Sequence, residues 1–146
     1  MTTVLHLSPT EGAPIACDMS RARDTPEGRL AEYGELFQRA LLERERRDDA
    51  VVLVFAADAR EHVEDLARRE HDCCPFVDYR VEADGDRVRW TTTNTVDGDR
   101  RAAVDVMLDA LYELPEHAGS SIDGYLARLA DRGVDVVPVE SGFRFG

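Results

Sequence analysis

Cys17, Glu70, Cys73 and Cys74 are the residues whose types and spacing can do chemistry in this chain of 146 residues. On a helix running over about residues 58–74, positions 59, 63, 66, 70 and 73 or 74 fall along one stripe, because spacings of three and four keep side chains on one face. Glu70 interrupts an otherwise apolar face. A carboxylate so placed must be paired, protonated or bound to something, since an unpaired buried charge is too costly. The bland alternative is that it slips to the solvent edge or pairs with an arginine such as Arg29 or Arg89. Cys73 and Cys74 sit at the predicted C-terminal end of the same helix, where the macrodipole disfavours a thiolate and favours a cation. A bound soft metal is therefore electrostatically welcome there, whereas activation of a nucleophile by the helix is not available. Adjacent cysteines seldom bridge to each other, so a disulfide would have to use Cys17. If the apolar patch around Cys17 runs beside the end of the helix, the three sulfurs converge. Three thiols suit Hg(II), As(III) or Cu(I), and a fourth ligand from Glu70, His71 or Asp18 completes a tetrahedral Zn site. The competing reading makes all three cysteines small core hydrophobes.

The pattern Ile15, Ala16, Cys17, then a helix, a short apolar strand and E-x-x-C-C-P-F from Glu70 to Phe76 resembles a group of small bacterial proteins that share I-A-C and E-x-x-C-C-x-F. The similarity covers roughly residues 13–112 and matches at Cys17, Glu70, Cys73, Cys74 and Phe76; the region after Pro115 departs from the shorter pattern. Members of that group are associated with metal-responsive regulators and with mercury or arsenic resistance. The resemblance thus implies thiol chemistry toward soft metals.

The elements that must position these residues follow from periodicity. Strand candidates occupy residues 4–7 and 15–17. Thr25 as N-cap and Pro26 at the first helical position open a helix whose stripe of Leu30, Tyr33, Phe37, Ala40 and Leu41 predicts continuation to about Arg47. The run of residues 51–55 reads as a central strand buried on both faces. Asp58 is the expected cap of the second helix, which Pro75 ends. Residues 76–83 and 87–93 flank Asp84 and Gly85, a type I′ signal that would set Glu82 opposite Arg87, Val81 opposite Val88 and Tyr79 opposite Trp90. Residues 97–114 predict a third helix with Ala103, Val106, Met107, Ala110, Leu111 and Leu114 inward, ended by Pro115. Ser120 or Ser121 opens a fourth, Gly133 closes it, and the tail reads as one edge strand because Pro138 forbids a central one. The expected fold is a single-domain α+β sandwich over 1–146, with helices packed on an antiparallel or mixed sheet. Its core spans about 13–114, and a C-terminal helix and strand are appended over 115–146.

Composition narrows the function. Thirty acidic residues face 18 basic ones, all arginine, for a net charge of -12. Such a surface repels phosphate backbones and anionic headgroups, so no nucleic-acid and no membrane partner is expected. No apolar run reaches the length of a membrane span and the N-terminus lacks a signal-peptide pattern, which points to the cytoplasm and to cysteines kept as thiols. No phosphate-binding or dinucleotide motif is present. The leading expectation is binding of a soft metal, metalloid or organometal through Cys17, Cys73 and Cys74. Glu70 stands by as acid or base and, in a lyase-like extension, protonates a departing carbon. The alternatives are a small enzyme using a thiol or Glu70 in an apolar pocket roofed by the C-terminal helix, and a non-catalytic module that forms a homodimer through the Tyr125 to Leu129 helix or the tail strand.

Overall fold

The computed structural model of the chain describes residues 3–117, 121–134, 136–139 and 142–145. Strands β1 (Thr3–Leu7) and β2 (Ala16–Asp18) precede helix α1 (Pro26–Ala40), strands β3 (Leu41–Arg46) and β4 (Ala50–Ala56), and helix α2 (Arg60–Cys73). There follow β5 (Asp78–Asp84), β6 (Arg87–Thr93), α3 (Arg101–Glu113), α4 (Ile122–Asp131), β7 (Val136–Val139) and β8 (Gly142–Phe145). The strands form two antiparallel sheets, β1-β5-β6-β4-β3 and β2-β8-β7. The fold is α+β, with helices packed on a sheet. No helix among the described residues is long and apolar enough to cross a membrane.

Alternation along β6, with Val88, Trp90 and Thr92 buried between exposed Arg87 and Arg89, turns one face of the large sheet to the core. Leu36 and Phe37 of α1, Val63 and Leu66 of α2, Val104 and Leu108 of α3, and Leu129 of α4 close over that face. Strand β4 is buried on both of its faces, as its unbroken apolar run predicts.

Four local expectations are corrected. Residues 41–46 are a strand and not the end of the first helix. Their ladder with β4 and their side-chain anchors outweigh helical propensity: Arg44 donates to the Tyr112 carbonyl at 2.7 Å and Arg46 to Asp109 at 2.8 Å, tying the edge to α3. Asp58 does not cap α2, which starts from a short 3-10 turn over Ala57–Ala59 with no side-chain cap. The β5–β6 hairpin turns at Gly85 and Asp86, pairing Asp84 with Arg87, Glu82 with Arg89, Val81 with Trp90 and Tyr79 with Thr92. Of the two loop residues, Gly85 adopts positive φ, +64°, and Asp86 does not; a glycine at the first loop position fits a type II′ turn better than the expected I′. In α3, Val104 and Leu108 are fully buried while Ala103, Val106 and Leu111 sit at the margin, a stripe rotated from the expected one. α3 itself ends at Glu113, ahead of Pro115 as expected, and Pro115 lies within a 3-10 turn, Leu114–His117.

The C-terminal region contains a hairpin and not a single strand. Ser121 caps α4 by accepting from the Gly124 amide, and Gly133 at φ +83° closes it, both as expected. β8 then pairs with β2, with Phe143 opposite Cys17 in register, while β7 with Pro138 takes the edge. Ser120, the other expected cap, lies outside the described residues.

Candidate functional site

The site is assembled from the start of α1, the last turn of α2 and strand β2. Thr25 accepts from the Gly28 amide at 3.0 Å and, with Pro26, fixes where α1 begins. This places Arg29 in the first turn, four residues before Tyr33 on the inward face. Arg29 is 4% exposed, a burial tolerable only with full pairing. Asp24, just ahead of the helix, receives its Nε and Nη2 at 2.9 and 2.7 Å in a bidentate fork. The remaining Nη1 points to the end of α2, donating to Glu70 at 3.1 Å and to the Cys73 sulfur at 3.1 Å. Asp24 also accepts from Arg69, which holds Glu32, itself bound to His62 at 2.6 Å. A continuous chain of charges thus runs from the sulfur to the surface.

Helix α2 ends as its sequence predicts. Its last residue is Cys73; Cys74 follows as C-cap, its amide donating to the Glu70 carbonyl, and the Tyr79 hydroxyl donates to the Cys74 carbonyl at 3.1 Å. The structure brings Cys17, Cys73 and Cys74 together, and it also changes their chemistry. Cys17 and Cys74 form a disulfide, with Cα atoms 4.6 Å apart, so the set is one thiol beside one disulfide in place of three thiols. The physical reason is topological: pairing with β8 holds β2 against the helix end, within bridging distance of the cap residue. Cys73 Sγ lies 3.6 Å from Cys74 Sγ, and ligand atoms of Glu70, Cys73 and Cys74 all fall within 4.8 Å of one another. Of the other candidate ligands, His71 turns away to the Ser8 carbonyl and exposed Asp18 accepts from the Ser20 amide, so neither joins the cluster. Arg29, not exposed Arg89, is the partner of Glu70.

The sulfurs and Glu70 line a chamber of about 110 Å³. Leu30, Tyr33, Trp90, Met107 and Leu111 provide much of its wall, and Ile122 and Tyr125 of α4 contribute from the C-terminal region. Trp90 stacks on Tyr33, and its indole N–H is buried with no acceptor among the described residues. Thr92 is the one member of the threonine run 91–93 that is buried, and it too lines the chamber.

Burial sets the ionisation of these groups. Glu70, 20% accessible and facing the chamber, is raised above the usual carboxylate range by desolvation, against the opposing Arg29 charge and hydrogen bonds from Arg29 and Tyr33. Burial pushes the Cys73 thiol up to about 12, the Glu70 charge adds to this, and Arg29 opposes it. Desolvation works against the Arg29 charge, but the hydrogen-bonded Asp24 carboxylate and the Glu70 charge outweigh it and keep the guanidinium protonated. Cys73 is therefore held as a neutral thiol, consistent with its place at a helix C-terminus.

Sequence reasoning found the four chemical residues, named Arg29 and offered the C-terminal helix as a pocket roof, but missed Asp24, Tyr33 and Trp90 as parts of the site. One signal was present: Arg29, Tyr33 and Phe37 recur every four residues, so the arginine belongs to the buried stripe. Compared with known proteins, the chain matches no family model, no curated protein and no solved structure.

Proposed function

We propose that this protein captures a soft metal ion or metalloid through Cys17, Cys73 and Cys74, with Glu70 as the neighbouring carboxylate, in a detoxification role. The observation that carries this is the convergence of three sulfurs and one carboxylate in a single buried cluster. In the disulfide form one thiol remains. Two equivalents of a small thiol, oxidised to its own disulfide, return Cys17 and Cys74 as thiols and release the full ligand set. Arginine-paired Glu70 then lies beside the sulfurs, where it accepts a proton as a thiol gives way to a metal bond. The resemblance in the sequence motif points in the same direction. Hg(II), As(III) and Cu(I) suit sulfur-rich sites, and Zn(II) would need Glu70 as a fourth ligand.

The test is titration of the reduced protein with Hg(II), As(III), Zn(II) and Cu(I), beside single Cys→Ser variants at the three positions and Glu70→Gln. One equivalent is expected to bind, with affinity reduced at least tenfold by each cysteine variant. Unchanged stoichiometry and affinity across the three cysteine variants would sink the proposal. A second reading, an enzyme that uses Glu70 as acid or base on an organic substrate, is favoured by the chamber that α4 helps to line. It predicts that Glu70→Gln abolishes a turnover that the Cys→Ser variants retain.

A further inference from the structure

We infer that the species held at the sulfurs carries one organic group, and that the chamber beside them is the seat of that group. The inference rests on the soft-metal reading above and specifies its substrate class.

A bare ion is complete once its sulfur and oxygen ligands surround it. It gains nothing from a further apolar volume, and burying it beside such walls adds desolvation cost. This site nevertheless opens onto about 110 Å³ walled by Leu30, Met107, Leu111 and Ile122 with the rings of Tyr33 and Trp90. Engineered apolar cavities of about 150 Å³ accept benzene, so the space suits a group between a methyl and a single ring. Apolar surface placed there is removed from water, which favours binding.

Charge admits the same class. The charged side chains on the chamber wall, Arg29 and Glu70, already pair with each other at 3.1 Å, and Asp24 takes the rest of the guanidinium. No uncommitted charge is left to balance an ionic adduct. A monosubstituted trivalent arsenical needs no such charge, since with two thiols it gives a neutral adduct, as arsenite does with three. R–As(OH)₂ and two cysteine thiols give R–As(S–Cys)₂ and two waters: two As–S bonds form, two As–O bonds break, and each thiol proton leaves on a hydroxide. Nothing is oxidised or reduced and the adduct is neutral.

The experiment compares phenylarsonous acid with arsenite on the reduced full-length protein, followed by the fluorescence of Trp90, the single tryptophan of the chain. Two chamber-filling variants, Leu111→Phe and Ile122→Phe, are measured beside the wild type, and circular dichroism identifies those that fold. We expect both ligands to bind at one equivalent, and at least one folded filling variant to lose phenylarsonous affinity tenfold or more while arsenite affinity stays within about twofold. If both ligands bind and the filling variants leave their ratio unchanged, the organic group does not enter the chamber; this inference fails and metalloid capture stands. If neither ligand binds the reduced wild type, the metalloid reading fails and takes the inference with it.

Discussion

Arg29 is the residue on which the site turns. One guanidinium pairs with Asp24, meets Glu70 and donates to the Cys73 sulfur, so its loss would leave Glu70 partly buried without its cation and Asp24 with Arg69 alone. Breaking a buried pair by removing one partner costs about 3–5 kcal/mol, more than the buried alkyl stem of a methionine can return. Arg29→Met should therefore lower the urea midpoint by an amount corresponding to about 3 kcal/mol with an unchanged slope. A midpoint within about 0.5 kcal/mol of wild type would show the pairing to be energetically idle. Legibility at this scale was good for residue types and poor for partnerships. Glu70 in an apolar stripe announced that a partner or ligand was needed, but the choice of Arg29 over Arg89 depends on helix packing that no spacing records.

Among the elements, α1 and α2 are clamped by Asp24, Arg69, Glu32 and His62. Hydrogen bonds from Arg69 hold the Glu32 carboxyl below its ordinary range, and His62 contributes in the same sense against desolvation. A depressed carboxylate adds stability that is present above its unfolded value, about 4.3, and is lost as pH falls through the lower folded value. Glu32→Gln should accordingly flatten the acid limb of a stability profile measured by urea unfolding below pH 5, and an unaltered limb would remove Glu32 from the clamp. The hairpin between β5 and β6 offers a separate check. Gly85 has positive φ and open space around its Cα, so a substitution there meets only a conformational cost. Gly85→Ala should destabilise by about 1–2 kcal/mol, and Gly85→Asn by less, in thermal or urea unfolding. Element existence was mostly legible, as β4, α2 and the cap of α4 attest. Element type failed at residues 41–46, where helix-compatible residues became a strand because β4 offered a ladder and α3 offered anchors for Arg44 and Arg46.

At the scale of the whole molecule, the Cys17–Cys74 bridge joins the small sheet to the helical layer across a separation of 57 residues. Closing a loop of that size removes unfolded-chain entropy worth about 4 kcal/mol in the chain-entropy model. Reduction, or Cys17→Ser, should lower stability by up to that amount, read as a fall in the urea midpoint; soft metalloid bound to the native thiols should recover part of it by mass action. A midpoint indifferent to reductant would mean that β2 is held by β8 alone. The four α4 residues Tyr125, Leu126, Leu129 and Ile122 face the core or the chamber, so the apolar stripe of that helix is used within the chain.

By itself, the sequence determined the α+β class, the placement of Glu70, Cys73 and Cys74 at one helix end, and the strongly acidic surface. These follow from local periodicity, capping and composition, which need no knowledge of distant residues. Tertiary structure alone decided that Cys17 bridges Cys74, that Arg29 serves both Glu70 and Cys73, and that α4 helps to wall a chamber beside the sulfurs. Each of these depends on contacts between residues tens of positions apart, where the packing of sheets and helices, and not chain-local preference, sets the distance.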